Sequence, residues 1–348
     1  MGKNETGFIS NLVGLMLSWT RRTEQTKYLI FIILVIGVII RLVSIPVFVG
    51  ASHNPVDVYY VDNQSAKLIL DLKSPYLQEP VVHGYPYVFV YLPMVAVYYV
   101  PFYLLGDIRF GNIVADVLIM FSVYWIAKSI NRGAAFFAPL AFALLPLSVL
   151  LTSIDATNIM IGTSFLTFSI AALLKKEYSV AAIFLGMALA TNQLVALALP
   201  VLIYYFWDEH KFSYFLGSIL FSAGITLPFF LTDPHDFIND AILFQFERPL
   251  QSNGSFSLYS MINAAVGQSV ASWLRVALFL IVVLVAIIWL SRKSFFLILS
   301  IGGLLLLGAF ILPINGFLNY FLPGAAFFCS LVPYVIYSIT SKIQKPVS

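Results

Sequence analysis

Charge is the scarcest commodity in this chain. Only 10% of its 348 residues are Asp, Glu, Lys or Arg, against about 25% in an ordinary soluble domain, which excludes a water-soluble globular enzyme. Cysteine is nearly absent: Cys329 stands alone inside an apolar run, so an intrachain disulfide and a Cys-type zinc site are both excluded. Short alternating strands are missing, which argues against a membrane barrel. There is no low-complexity linker and no pairing of hydropathy halves of the kind that marks duplicated transporters. No nucleic-acid partner is expected.

What fills the sequence instead is hydrophobic residue, 60% of the chain, with a mean hydropathy of +0.93. It comes in runs of about 20 residues, each long enough to cross a hydrocarbon core of about 30 Å as a helix. The fold class expected is therefore all-α, a polytopic transmembrane bundle embedded in the lipid bilayer.

Residues 1–27 form an N-terminal segment in which Phe8, Leu12, Leu15, Met16 and Trp19 recur at helical spacing ahead of Arg21 and Arg22. That pattern predicts an amphipathic helix lying in the interface on the cytoplasmic side. Residues 28–348 are read as one integral-membrane domain. Spans are expected at about 28–48, 110–127, 133–151, 158–174, 212–231, 272–290, 294–312 and 319–339, with a helical pair at 178–206 broken by the polar Thr191-Asn192-Gln193. The bundle thus has about eight full spans plus a broken pair. The Pro-interrupted stretch 88–105 either spans or lies at the outer surface, and keeping every basic turn on one side favours the surface.

With that threading, thirteen of the 19 Lys and Arg but five of the 16 acidic residues fall inside. The bias places both termini in the cytoplasm and makes 51–109, 152–157, 232–270 and 313–318 extracytoplasmic loops. The first of these is the expected catalytic loop; 232–270 is the second large one. The compact length and the lack of an organelle-retention signal favour a prokaryotic plasma membrane over an endoplasmic reticulum.

Chemistry is expected where polar residues concentrate. Asp57 follows the first span beside Tyr59 and Tyr60, and a carboxylate partly desolvated there would have a raised pKa, suited to taking a proton from a hydroxyl. Asp62 falls at the start of an expected loop helix, 62–72, and reads as its N-cap. His53, His83 and Asp57 form a weak set for a divalent cation, Mg or Mn. Ionisable residues inside spans are costly and informative: Arg41 and Asp116 are either an ion pair fixing two helices or, for Arg41, an anion site, and Arg275 is a second anion candidate. Arg248, set among aromatics in an outer loop, suits a lipid phosphate because guanidinium meets phosphate oxygens bidentately. Asp155 and Asn158, in the polar turn Thr152 to Asn158, could project toward the first loop.

Asp57-Val-Tyr-Tyr, then Ser74-Pro75-Tyr76, then Tyr85-Pro86 and Leu92-Pro93 resemble in order and spacing the signature of the GT-C superfamily of glycosyltransferases. The resemblance is to polyprenyl- or dolichyl-phosphate-mannose-dependent mannosyltransferases, including the GPI mannosyltransferase I catalytic subunit. It continues through Ala115-Asp116, the turn at Ser153 to Asn158 and Gly186 to Pro200, covering residues 37 to 206, with a looser echo at Asn319-Tyr-Phe-Leu-Pro323. It implies a GT-C-like bundle, a catalytic carboxylate at Asp57, a membrane-embedded polyprenyl-phosphate sugar as donor and inversion at the anomeric carbon. Two positions depart from the pattern. Asn158 stands where relatives often carry an acid, leaving Asp155 displaced by three, and Asn192 stands where they place a lysine.

The function expected is transfer of a sugar, mannose first, from a polyprenyl-phosphate donor to a lipid-linked or glycan acceptor on the extracytoplasmic face. Arg41, Tyr59, Tyr60, Asp155, Asn158, Asn192, Arg248 and Arg275 are the candidate substrate contacts, and a small membrane partner subunit is allowed for. The rival readings are a transporter or flippase of a glycolipid and a GT-C-like subunit without catalysis of its own.

Overall fold

The computed structural model describes residues 23–48, 55–77, 81–82, 85–244, 250, 254–267, 269–289 and 294–343. Among them the chain is an all-α bundle, whose strands are two residues each, Val81–Val82 paired antiparallel with Tyr85–Pro86. Residues 1–22 of the expected interfacial segment lie outside the described residues.

In chain order the bundle runs α1 (Thr23–Phe48), α2 (Asp57–Leu70), α3 (Met94–Leu104), α4 (Arg109–Ile130), α5 (Phe137–Ala143), α6 (Pro146–Val149), α7 (Ile159–Leu174) and α8 (Tyr178–Leu189). It continues with α9 (Leu199–Asp208), α10 (Phe212–Thr232), α11 (Pro234–Ile238), α12 (Leu258–Val266), α13 (Ser272–Trp289), α14 (Ser294–Ile311) and α15 (Leu322–Ile343). Among the described residues six stretches, not the expected eight, are each long and apolar enough to cross a bilayer as one helix: Tyr28–Phe48, Arg109–Ile130, Phe212–Thr232, Ser272–Trp289, Ser294–Ile311 and Leu318–Ile339. The protein is a multi-pass integral membrane protein.

The span expected at 133–151 is two pieces, Phe137–Ala143 and Pro146–Ile154, bent by 54°. Pro146 has no N–H to give the preceding turn, so the helix stops at Ala143 and restarts after the extended Leu145. At 16 residues α7 rises about 24 Å, short of the hydrocarbon thickness as a straight helix. The α3 helix, 11 residues long, rises only about 16 Å and cannot cross alone. Its first N–H is satisfied by the carbonyl of Ala190, in the break after α8.

Burial divides these helices into two kinds. The hydrophobic windows of α4 and α14 are 56% buried inside the protein, those of α10 and α13 only 11%. One apolar core joins α3, α7, α8, α9 and α14 beneath the first loop; a second joins α1, α4, α5 and α15.

Candidate active site

Within the first loop, Pro55 and the extended Val56 lead directly into α2, which starts at Asp57. This is five residues earlier than the expected start at Asp62. A carboxylate suits the first turn, where the helix dipole is positive, and Oδ1 of Asp57 accepts the Val58 N–H at 2.9 Å. Asp57 is exposed and faces a cavity of about 960 Å³.

Asp62 is therefore no N-cap. It lies inside α2, fully buried, with Oδ1 accepting a hydrogen bond of 3.2 Å from Nδ2 of Asn158. The burial expected of Asp57 belongs to Asp62: desolvation pushes its carboxyl well above the ordinary 3.8, Asp57 adds to the rise, and the Asn158 amide opposes it.

The second wall is built by the polar turn between α6 and α7. Residues Leu150–Ile154 widen into a π-type turn, and Ala156 takes a left-handed φ of 54°, which costs a side-chain-bearing residue about 1 kcal/mol. Such turns recur at functional sites because they re-aim side chains. Here they put Asp155, Thr157 and Asn158 on the cavity.

The third wall comes from the break after α8. Asn192 is extended, and its Oδ1 accepts the Leu194 N–H at 2.8 Å, capping the short 3₁₀ turn Gln193–Ala198. Gly162 makes this approach possible. A Cβ on it would lie 2.9 Å from Thr191 Oγ1 and 3.2 Å from Asn192 Cβ. The cavity is closed by aromatic residues of the later loops, among them Phe244, Phe256, Phe317 and Tyr320. Loop 254–257 is stitched to 314–316 by Phe256 N–H to Gly316 O at 2.6 Å and by Ser257 Oγ to Ile314 O at 2.6 Å.

A smaller pocket of about 260 Å³ adjoins the cavity and shares Tyr91, Asn192 and Tyr320 with it. Its remaining wall sets the aliphatic Leu194, Leu197, Leu312 and Ile314 beside the polar Gln193, Ser272, Asn315 and Arg275. The Arg275 guanidinium donates through Nη1 to the carbonyl of Leu312 and through Nη2 to Ser272 Oγ at 3.1 Å, and lies 5.2 Å from the Tyr259 ring centre. No carboxylate pairs with it among the described residues.

The structure thus gathers Asp57, Asp155, Asn158 and Asn192 in one cavity and Arg275 in the pocket beside it. It leaves Arg41, Asp116, Tyr59 and Tyr60 outside both. Arg41 and Asp116 form a fully buried ion pair at 2.6 Å. Arg41 also donates to Ala143 O at 2.5 Å and Ser148 Oγ at 2.6 Å, satisfying the broken end of α5, while Asp116 accepts from Thr152 at 3.3 Å. That is the helix-fixing arrangement, not an open anion site. The Tyr59 hydroxyl donates to Asp107 at 3.4 Å and its ring lies 4.8 Å from the Arg109 guanidinium; Tyr60 packs edge-on against it. Arg248, His53 and His83 lie outside the described residues. Among the described residues no three His, Cys, Asp or Glu side chains gather to hold a metal ion.

The fold is shared with solved structures. The crystal structure of ArnT from Cupriavidus metallidurans bound to undecaprenyl phosphate matches with a TM-score of 0.60 and 14% identity over 86% of this chain. The same protein in the apo state matches with a TM-score of 0.61 and 14% identity over 90% of the chain. The chain has a GT-C-type fold. It spans about 60% of the length of ArnT, 59% and 60% in the two structures. No family model and no curated protein matches the sequence. Within the GT-C fold, the sequence resemblance had marked Asp57, the 153–158 turn and the 186–200 stretch. The aromatic lining went unmarked, because cavity and belt aromatics have the same composition; Asn319-Tyr320 was its one sequence signal.

Proposed function

We propose that this protein is a membrane glycosyltransferase that moves a sugar from a polyprenyl-phosphate carrier to a lipid-linked or glycan acceptor. The observation that carries the reading is the junction of two compartments with opposite chemistry. An open cavity bearing Asp57 meets, across Tyr91, Asn192 and Tyr320, a smaller pocket with an aliphatic side and a buried arginine without a carboxylate partner among the described residues. The fold relative bound to undecaprenyl phosphate supports the lipid carrier.

In this reading the donor phosphate lies by Arg275, the carrier chain runs along the aliphatic wall, and the sugar crosses into the cavity. Asp57 removes the proton of an acceptor hydroxyl as that oxygen bonds to C1. The C1–O bond to phosphate breaks, and its electron pair leaves on the phosphate, whose charge the guanidinium stabilises. Attack opposite the leaving group inverts C1, and Asp57 later returns its proton to water. Mannose is the first sugar to try, on the strength of the sequence resemblance. Cytoplasmic termini and an outward-facing cavity complete the proposal; a divalent cation, Mg or Mn, is an optional participant and not a requirement, and a small partner subunit would bind the poorly buried helices.

The deciding experiment is transfer of radiolabelled mannose from synthetic polyprenyl-phosphate-mannose by the purified protein, with extracted lipids and glycans as acceptors. Transfer that Asp57→Asn reduces by about 10²–10⁴-fold, the usual worth of a general base, is expected. Full activity in that variant would remove Asp57 from the mechanism. A folded protein that moves intact glycolipid across vesicles without forming product would favour a flippase.

A further inference from the structure

Asp62 has less support than a buried carboxyl normally commands. Its Oδ1 is held by the Asn158 amide, but its Oδ2 is buried without any hydrogen-bond partner. The other titratable groups that act on it are Asp57, on the same helix, and Tyr99 of α3, whose hydroxyl donates to Asn112 Oδ1 at 2.5 Å. No cation compensates it among the described residues, and burial favours the protonated form of the carboxyl.

A half-satisfied buried acid is less stable than an apolar side chain of the same size. Its effect on Asn158 gives it a use. A side-chain amide has one donor end and one acceptor end, and Asp62 takes the donor. The carbonyl end of Asn158 is then left for the cavity, which the carboxylates of Asp57 and Asp155 also line. No Lys, Arg or His lines the cavity among the described residues. This part of the wall therefore presents acceptors, which match the O–H donors of a sugar and repel a phosphate.

We propose that Asp62 is a positioning residue: it locks the Asn158 amide with its carbonyl toward the cavity, so that the wall beside Asp57 reads the hydroxyl groups of the donor sugar. The inference rests on the glycosyltransferase reading. It assigns sugar recognition to the large cavity and leaves phosphate recognition to the pocket of Arg275.

Affinities of the full-length protein in nanodiscs for polyprenyl-phosphate-mannose and for bare polyprenyl phosphate test it, because their ratio isolates the sugar. Wild-type protein is expected to favour the mannosylated lipid by about tenfold, the worth of one or two hydrogen bonds. Asp62→Leu, which fills the site without offering an acceptor, should bring that ratio close to one while affinity for bare lipid stays within about twofold. Asp62→Asn, whose own carbonyl can still accept from Asn158, should keep most of the preference. An unchanged ratio in Asp62→Leu, or equal weakening toward both lipids, overturns the positioning role. Wild-type protein that binds neither lipid overturns the donor reading and the inference with it.

A second readout needs no lipid. Infrared difference spectra at neutral pH should show a protonated-carboxyl band that survives Asp57→Asn and disappears in Asp62→Asn. Survival of the band in Asp62→Asn places the buried proton on another group and overturns this account of Asp62.

Discussion

Around Arg41 every charge is answered: Asp116 stands 2.6 Å away, and the carbonyl of Ala143 and the hydroxyl of Ser148 take further donors. Around Arg275, in the smaller pocket beside the cavity, the partners are one carbonyl, one serine hydroxyl and a tyrosine ring. Both arginines are buried, and from the sequence both are intramembrane cations of equal promise. The neighbours separate them. A guanidinium already neutralised by a carboxylate has little left for an anion, whereas one held by neutral groups keeps its charge for a ligand.

Three substitutions would break or sharpen that contrast. The largest effect is expected from Arg41→Ala, which strands Asp116 as a buried charge at about 3–5 kcal/mol. Thermal unfolding in detergent should show it as a severe loss of folded protein, and the charge-free double change Arg41→Met with Asp116→Leu should recover most of the stability. Recovery would mark the pair as structural; a stable but inactive double variant would return Arg41 to the substrate. Next comes Arg275→Ala, expected on the proposed function to lower sugar transfer by about 10²–10³-fold, the scale of losing one charge stabiliser of the transition state. Its unfolding temperature should fall far less than that of Arg41→Ala. A drop in stability as large as that of Arg41→Ala would erase the distinction.

The smallest effect is a slope. The Asp62 carboxyl is raised by burial, so the folded protein holds its proton more tightly than the unfolded chain. Stability from this group is full below its ordinary 3.8 and declines as pH rises toward the folded value. Asp62→Asn has no proton to lose. Its unfolding temperature relative to wild type should therefore climb as pH rises above about 4, and a pH-independent difference would remove the buried acid from the account.

The all-α, multi-span architecture was legible because lipid imposes long apolar runs on a chain that crosses it. Asp57 was marked by the long polar loop it stands in, Asp155 and Asn158 by a polar turn between apolar runs, and Asn192 by the break it makes in one. Asp62 was misplaced because capping depends on where the helix begins. Pro55 and Val56 start α2 five residues before the point that the Asp62 pattern favoured. The roles of Arg41 and Arg275 stayed open for a different reason: they depend on residues 75 and 37 positions away, Asp116 and Leu312. The bend at Ala143 to Pro146 changed only the shape of an expected span, since proline states where a helix breaks but not by what angle.

The sparsely buried α13 carries both Ser272 and Arg275, so the smaller pocket is walled by a helix that otherwise looks outward. For a substrate anchored by a long isoprenoid, that placement turns capture into a two-dimensional event. The carrier can diffuse within the leaflet and slip in sideways, with no stage at which its chain meets water, a transfer that would cost about 0.8 kcal/mol per methylene. Saturation should then follow the mole fraction of carrier in the membrane. Diluting the bilayer with inert lipid at constant total carrier would slow the protein as surely as inhibiting it.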